Sequence, residues 1–222
     1  MVGGPTAQGV RTPHPSRRGA EANVSASPYP LFLRLEGRRT VLIGAGAVAA
    51  TKLPALLASG SLLRVVAPWV SPAVRALAGS ASIELCEREA SEADVEDAWL
   101  VVCAAPPAVR RQVKAWTEAR RTLLLAVDDV AATDAYAPAL LQRAGVTMAL
   151  GSEGRAPALV GLLRELLELA LPPEEELGEW MAAAVKARDA WRAAAQPLAS
   201  RRRQLLATLC RNHGACPGGA PT

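Results

Sequence analysis

Three stretches of the 222-residue chain carry residue types that could do chemistry. In "VLIGAGAVAATK", residues 41–52, an apolar run stops at Gly44-x-Gly46-x-x-Ala49 and opens onto helix formers. On a strand-to-helix turn, Gly44 permits the tight turn and Gly46 lets backbone amides approach a pyrophosphate. Ala49 keeps the helix close to the sheet, and the helix N-terminus favours negative charge. The competing reading is a turn of small residues that serves packing alone. The acid that would hold the cofactor ribose is missing, because the second strand ends "VVAPW". NAD and NADP therefore stay open, with Arg64 and Arg75 nearby.

The second stretch is "AVDD", 126–129, which sets Asp128 at the carboxyl end of a strand, where open parallel sheets bind ligands. A carboxylate there can take a proton or attract a cation; alternatively Asp128 or Asp129 caps the next segment. The third is "GSEGRAP", 151–157, where a strand delivers Ser152, Gly154 follows and a helix starts near Pro157. Free amides at that helix start, with Ser152 and Arg155 as further donors, would suit an anion; a plain connecting loop is the alternative.

The elements that must position these stretches read as alternating strands and helices. Strands are predicted at 40–43, "LLRVVAP", "IELCE", "WLVVCAA" and "TLLLAV". Helices are predicted over 47–58, near 72–78, in acidic "SEADVEDA" and over 107–120. The strands are continuous apolar runs, the pattern of a parallel sheet covered on both faces. After Asp128, "DAYAPALLQRAG" looks helical with turns, "VTMALGS" is a strand, and "PALVGLLRELLELAL" is an amphipathic helix. Residues 174–211 suggest a small helical unit broken at Pro197. The fold class is thus α/β: a Rossmann-like parallel sheet, then a small middle segment and a C-terminal helical domain.

Composition sets outer bounds. Half the residues are hydrophobic and 4% aromatic, so the core must be aliphatic. A net charge of +4 suits an anionic small molecule as well as nucleic acid. The "RRR" run at 201–203 lacks interleaved aromatics and reads as a solvated helix face, so no nucleic-acid partner is expected. Charges interrupt the longest apolar segment, so no membrane span is expected. Cys86 and Cys103 sit in apolar runs and read as buried thiols of a reducing compartment, and no signal peptide is read at the start; a cytoplasmic location is expected. Cys210, His213 and Cys216 could bind a soft metal but match no zinc spacing, and no metal ligand is assigned.

In order and spacing, these motifs resemble the precorrin-2 dehydrogenase/sirohydrochlorin ferrochelatase family, the amino-terminal module of sirohaem synthase. The resemblance rests on "YPLFLRLEGRRTVLIGAGAVAATKLPALLASG", "RVVAP", Val127-Asp128, and the "S-x-G-x-x-P" loop with its leucine-rich helix, and it covers roughly residues 28–172. Residues 1–27, with no apolar period and many breakers, read as a disordered leader, and the resemblance implies an NAD(P)-binding domain over 28–128. A dimerisation and substrate segment over 129–172, a helical domain over 173–212 and a loose tail over 213–222 would follow. It implies NAD-dependent oxidation of a tetrapyrrole, precorrin-2, to sirohydrochlorin, with insertion of ferrous iron as a second activity in many members. Cofactor contacts would fall on Gly44, Ala45, Gly46, Ala47, Val48, Pro68, Trp69, Ala104 and Ala105. Asp128 would be catalytic, and Ser152, Gly154 and Arg155 would bind substrate, with Arg110 and Arg111 as further partners for its carboxylates. A homodimer and a separate upstream methyltransferase are the implied partners. The chain departs from the family at "AAPPAVRRQV", where Arg110 stands about where the family carries an asparagine. That departure motivates two alternatives: a chelatase without dehydrogenase activity, and a non-catalytic NAD(P)-sensing module.

Overall fold

Five short apolar runs become the strands of one parallel sheet, whose central strands are buried on both faces and need no alternation. The computed structural model describes residues 27–79 and 83–213. The leader, the tail, and the Cys216 and His213 side chains invoked above lie outside the described residues. The chain divides between Leu31 and Phe32 into two units; of the first, the described residues 27–31 have no regular secondary structure.

The second unit opens with β1 (Arg39–Ile43), α1 (Ala47–Ala58), β2 (Leu62–Val66), α2 (Pro72–Gly79) and β3 (Ile83–Cys86). β4 (Leu100–Cys103), α3 (Pro107–Arg120) and β5 (Leu123–Ala126) complete the sheet, whose order is β3-β2-β1-β4-β5. The order reverses between β1 and β4, the switch point where such sheets bind ligands. Register makes this rim level. Ile43 pairs with both Val66 and Cys103, Val66 with Cys86, and Cys103 with Ala126. The residues that leave the strands (Gly44, Ala67, Ala104, Val127) therefore emerge side by side.

The two sheet faces carry separate aliphatic clusters. Leu42, Val65 and Val102 pack with Ala49, Leu53 and Leu56 of α1 and Val74 of α2. Val41, Ile43, Val101, Leu124 and Ala126 pack with Val113 of α3 on the other face. Leu125 and Val127 join the α1 cluster only at its edge, half-buried. "SEADVEDA" forms a single 3-10 turn, Glu92–Val95, closed by a capping box between Ser91 and Asp94.

The helix expected in "DAYAPALLQRAG" is corrected. Ala139–Arg143 is strand β6, paired antiparallel with β7 (Val146–Leu150). The reason is the turn: Ala144 and Gly145 both have positive φ, 47° and 78°, the two-residue geometry whose twist matches a hairpin. Leu141 is buried while its neighbours Leu140 and Gln142 are exposed, so the strand alternates as a half-buried strand does. Helices α4 (Pro157–Ala170), α5 (Glu174–Ala193) and α6 (Leu198–His213) complete the chain, with the break at Pro197 where the sequence places it. No helix among the described residues is long and apolar enough to cross a membrane.

Candidate active site

The glycine turn is built from backbone bonds across the rim. Gly44 N–H donates to Val66 O at 2.9 Å, Ala104 N–H to Ile43 O at 2.8 Å, and Ser71 N–H to Ala45 O at 3.0 Å. Gly44 has φ +98°, and a Cβ there would press into the Ala104 carbonyl. Its smallness serves the β1–β4 approach first. Gly46 is different: a Cβ would meet nothing within 4 Å, and no side chain caps the α1 N-terminus it begins. The first amides of a helix have no partner inside it, so those of Ala47 and Val48 face an exposed surface. Ala45 is buried, Ala104 and Ala105 are half-buried, and Pro68 and Trp69 are exposed between Ala67 and Ser71. The expected cofactor residues are thus brought together on one rim. The open cradle at Gly46 and the uncapped amides fit a pyrophosphate. Arg64 and Arg75 are committed elsewhere, to Glu84 at 2.8 Å and to Glu87 at 2.7 Å.

Beside α1, a cavity of about 500 Å³ opens against β5. Its wall carries Lys52, Leu125, Val127, Asp128, Tyr136, Ser152, Gly154 and Val160, so the carboxylate of the second stretch and the serine of the third line one space. A second depression, about 580 Å³, lies around Trp99, Arg120 and Arg121. It sits where β4 and β5 begin, away from the carboxyl ends where ligands of such sheets bind, and is not the site.

The two aspartates have divided roles. Asp129 accepts from Arg110 Nη1 at 3.1 Å and from the Ala132 amide at 3.1 Å. The Arg110 hydrogen bond, ahead of the backbone amides, holds its carboxyl below the usual range. Asp128 takes the left-handed conformation, φ +59°, is exposed, and accepts no hydrogen bond or ion pair among the described residues. Asp129 is the capping group; Asp128 is left for the cavity. Arg110 also donates to Ala105 O at 3.3 Å. It is therefore engaged at the rim, and the expectation that it meets substrate carboxylates is replaced by this structural role.

Ser152 Oγ accepts from the Ala156 amide at 2.9 Å, which leaves its own proton to donate. A Cβ on Gly154 would stand 2.8 Å from Val130 Cγ2, so the two loops bordering the cavity touch there. Arg155 does not join them: it is 77% exposed, is paired with Glu153 at 3.1 Å and lies outside the cavity lining. Burial pushes the Cys103 thiol up, which makes it a packing group of the rim. Sequence reasoning missed Lys52 as a cavity residue and Arg110 as the partner of Asp129. Neither leaves a local signal, since 19 residues separate the pair.

Residues 31–139 match the family model NAD_binding_7, described as "Putative NAD(P)-binding". The chain is 36% identical over 178 residues to "Siroheme synthase 3" of Aeromonas hydrophila, covering 78% of this chain and 37% of that protein. It is 37% identical over 147 residues to "Siroheme synthase 1" of Aeromonas salmonicida, covering 64% of this chain and 31% of that protein. The chain belongs to the sirohaem synthase module family. It spans about a third of the length of these curated relatives. The solved structure titled "SirC, precorrin-2 dehydrogenase" shares the fold, with TM-score 0.64 and 21% identity, covering 80% of this chain and 87% of that one. The rim from Gly44 to Val127 lies within the residues that the NAD(P)-binding family model matches.

Proposed function

We propose that this chain oxidises precorrin-2 to sirohydrochlorin with NAD as hydride acceptor. The observation that carries this reading is the unpaired Asp128 carboxylate, held at the rim of a nucleotide-binding sheet in a cavity it shares with Ser152. The wall is mostly aliphatic, with Tyr136 and a few polar groups, as a flat apolar ring fringed by carboxylates requires. The amides at Gly46, Ala47 and Val48 would hold the cofactor pyrophosphate, with Pro68, Trp69, Ala104 and Ala105 along its length. When bound, the nicotinamide supplies the acceptor for the hydride. Asp128 takes the proton that the substrate loses in the same oxidation, while Ser152 and Gly154 position the macrocycle and the Arg155–Glu153 pair borders its entry. The same carboxylate would strip pyrrole protons if ferrous iron is inserted as a second substrate, which is the chelatase half of the reading.

The molecule is proposed to divide into a cofactor-binding part over 28–128, a dimerisation and substrate segment over 129–172 and a helical part over 173–212. A homodimer is supported by α4, where Leu159, Leu162, Leu163 and Leu166 form an exposed stripe at helical spacing. The substrate would come from a separate methyltransferase, and a cytoplasmic location fits that supply.

The test is an anaerobic assay with precorrin-2 and NAD, followed by ferrous iron, watching the absorption spectrum at each stage. Sirohydrochlorin is expected at the first stage, and Asp128→Ala is expected to abolish it while NAD binding and folding persist. Near-normal turnover in that variant would remove Asp128 from the reaction. A chelatase-only reading rests on Arg110 reaching the Ala105 carbonyl at the cofactor rim; calorimetry showing no NAD binding alongside metal insertion would favour it.

A further inference from the structure

Two of the charged side chains around the cavity have no ionic partner among the described residues. Asp129 is held by Arg110, and Glu153 is paired with Arg155. Asp128 is unpaired, and so is Lys52, the one cationic residue in the cavity lining. Lys52 is half-buried on α1 and has no ion pair or hydrogen bond among the described residues. A half-buried ammonium has lost part of its water and gains most from an anion that restores the lost interactions. The same helix presents its uncapped N-terminus to the rim, and Lys52 follows Ala47 by about 8 Å along the axis at the usual helical rise. One element thus offers two groups suited to anions, backbone amides at its end and an ammonium on its side.

On the reading that the cavity takes a polycarboxylate tetrapyrrole, we propose that Lys52 binds one of its side-chain carboxylates and fixes how the ring lies against Asp128. Cofactor phosphates belong to the amides at the helix end; the Lys52 ammonium lies in the wall that also holds Asp128 and Ser152. A carboxylate there would be met by the ammonium and the Ser152 hydroxyl, while the apolar body of the ring packs on Leu125, Val127 and Val160.

The probe is uroporphyrin, a stable tetrapyrrole with a carboxylate on every side chain, titrated by fluorescence into the full-length protein. NAD is titrated in parallel by calorimetry. Lys52→Met keeps the length of the side chain and removes the charge. It is expected to weaken uroporphyrin binding by roughly tenfold or more, the usual scale for one charge-assisted hydrogen bond, with NAD affinity and Tm unchanged. Lys52→Arg is expected to recover most of the loss, and the Lys52→Met complex to weaken less with added salt than the wild type. Equal uroporphyrin affinity in Lys52→Met and wild type overturns the proposal and leaves the cavity's function intact. Weaker NAD binding with unchanged uroporphyrin binding also overturns it, and assigns Lys52 to the cofactor. A wild-type protein that binds NAD but no uroporphyrin overturns the tetrapyrrole reading, and this inference with it.

Discussion

Adjacent carboxylates at the end of β5 meet opposite fates because one faces α3 and the other faces open space. Asp129 lies within hydrogen-bond reach of Arg110 and the Ala132 amide, so it fastens the loop. Asp128, one residue earlier and left-handed, is carried to the cavity by that fastening. The glycines divide in the same way. Gly44 lets β1 and β4 close up, whereas Gly46 leaves room outside the fold. Gly46→Asp is therefore expected to leave the structure intact, since nothing stands within 4 Å of its Cβ. It would place a carboxylate where a pyrophosphate binds, and NAD affinity should fall at least about a hundredfold, as expected when repulsion replaces a phosphate contact. Calorimetry reads this directly, and unchanged affinity would reject the cofactor site.

At the scale of elements, the 3-10 turn at Glu92–Val95 is held by a buried carboxylate. Asp94 is 1% exposed and accepts from Arg88 at 2.6 and 2.7 Å and from the Ser91 amide at 2.8 Å. Arg88, more than any other group, holds its carboxyl down to about 2 from an ordinary value of 3.8. A lowered folded-state value means the stabilisation is complete above 3.8 and disappears as the pH falls toward 2. Asp94→Asn should cost about 2 kcal/mol near neutrality, and its urea midpoint should vary less than the wild type's across that acid window. The end of α4 offers a second case. Arg143 of β6 donates to Leu171 O at 3.1 Å and Pro172 O at 2.9 Å, filling carbonyls that the helix leaves open. Arg143→Ala is expected to lower stability by about 1–2 kcal/mol in the same denaturation experiment. The hairpin holding Arg143 was hidden because "ALLQR", residues 139–143, consists of good helix formers. Its one local sign was Ala144-Gly145 between two apolar runs, a two-residue link of hairpin length.

For the whole molecule, the leucine stripe on α4 is a contiguous exposed apolar patch of the kind that marks a contact surface. Leu162 and Leu166 are each about half exposed at helical spacing. Replacing both with glutamate should convert a dimer to a monomer in sedimentation velocity with little change in monomer fold. A monomeric wild type would sink the dimer proposal. Much at this scale was legible beforehand: the parallel sheet, the boundaries of α1 and α3, and the break at Pro197 follow from strand runs, breakers and periodicity. These are local properties, set by which residues can be buried on two faces, on one, or on none. The tertiary structure alone decided which charges are spent and which are left. The pairing of Arg110 with Asp129, the exclusion of Arg155 from the cavity and the entry of Lys52 into it all join residues distant in the chain. Their distances arise only when the sheet register and the loops over it close, and no local pattern encodes that closure.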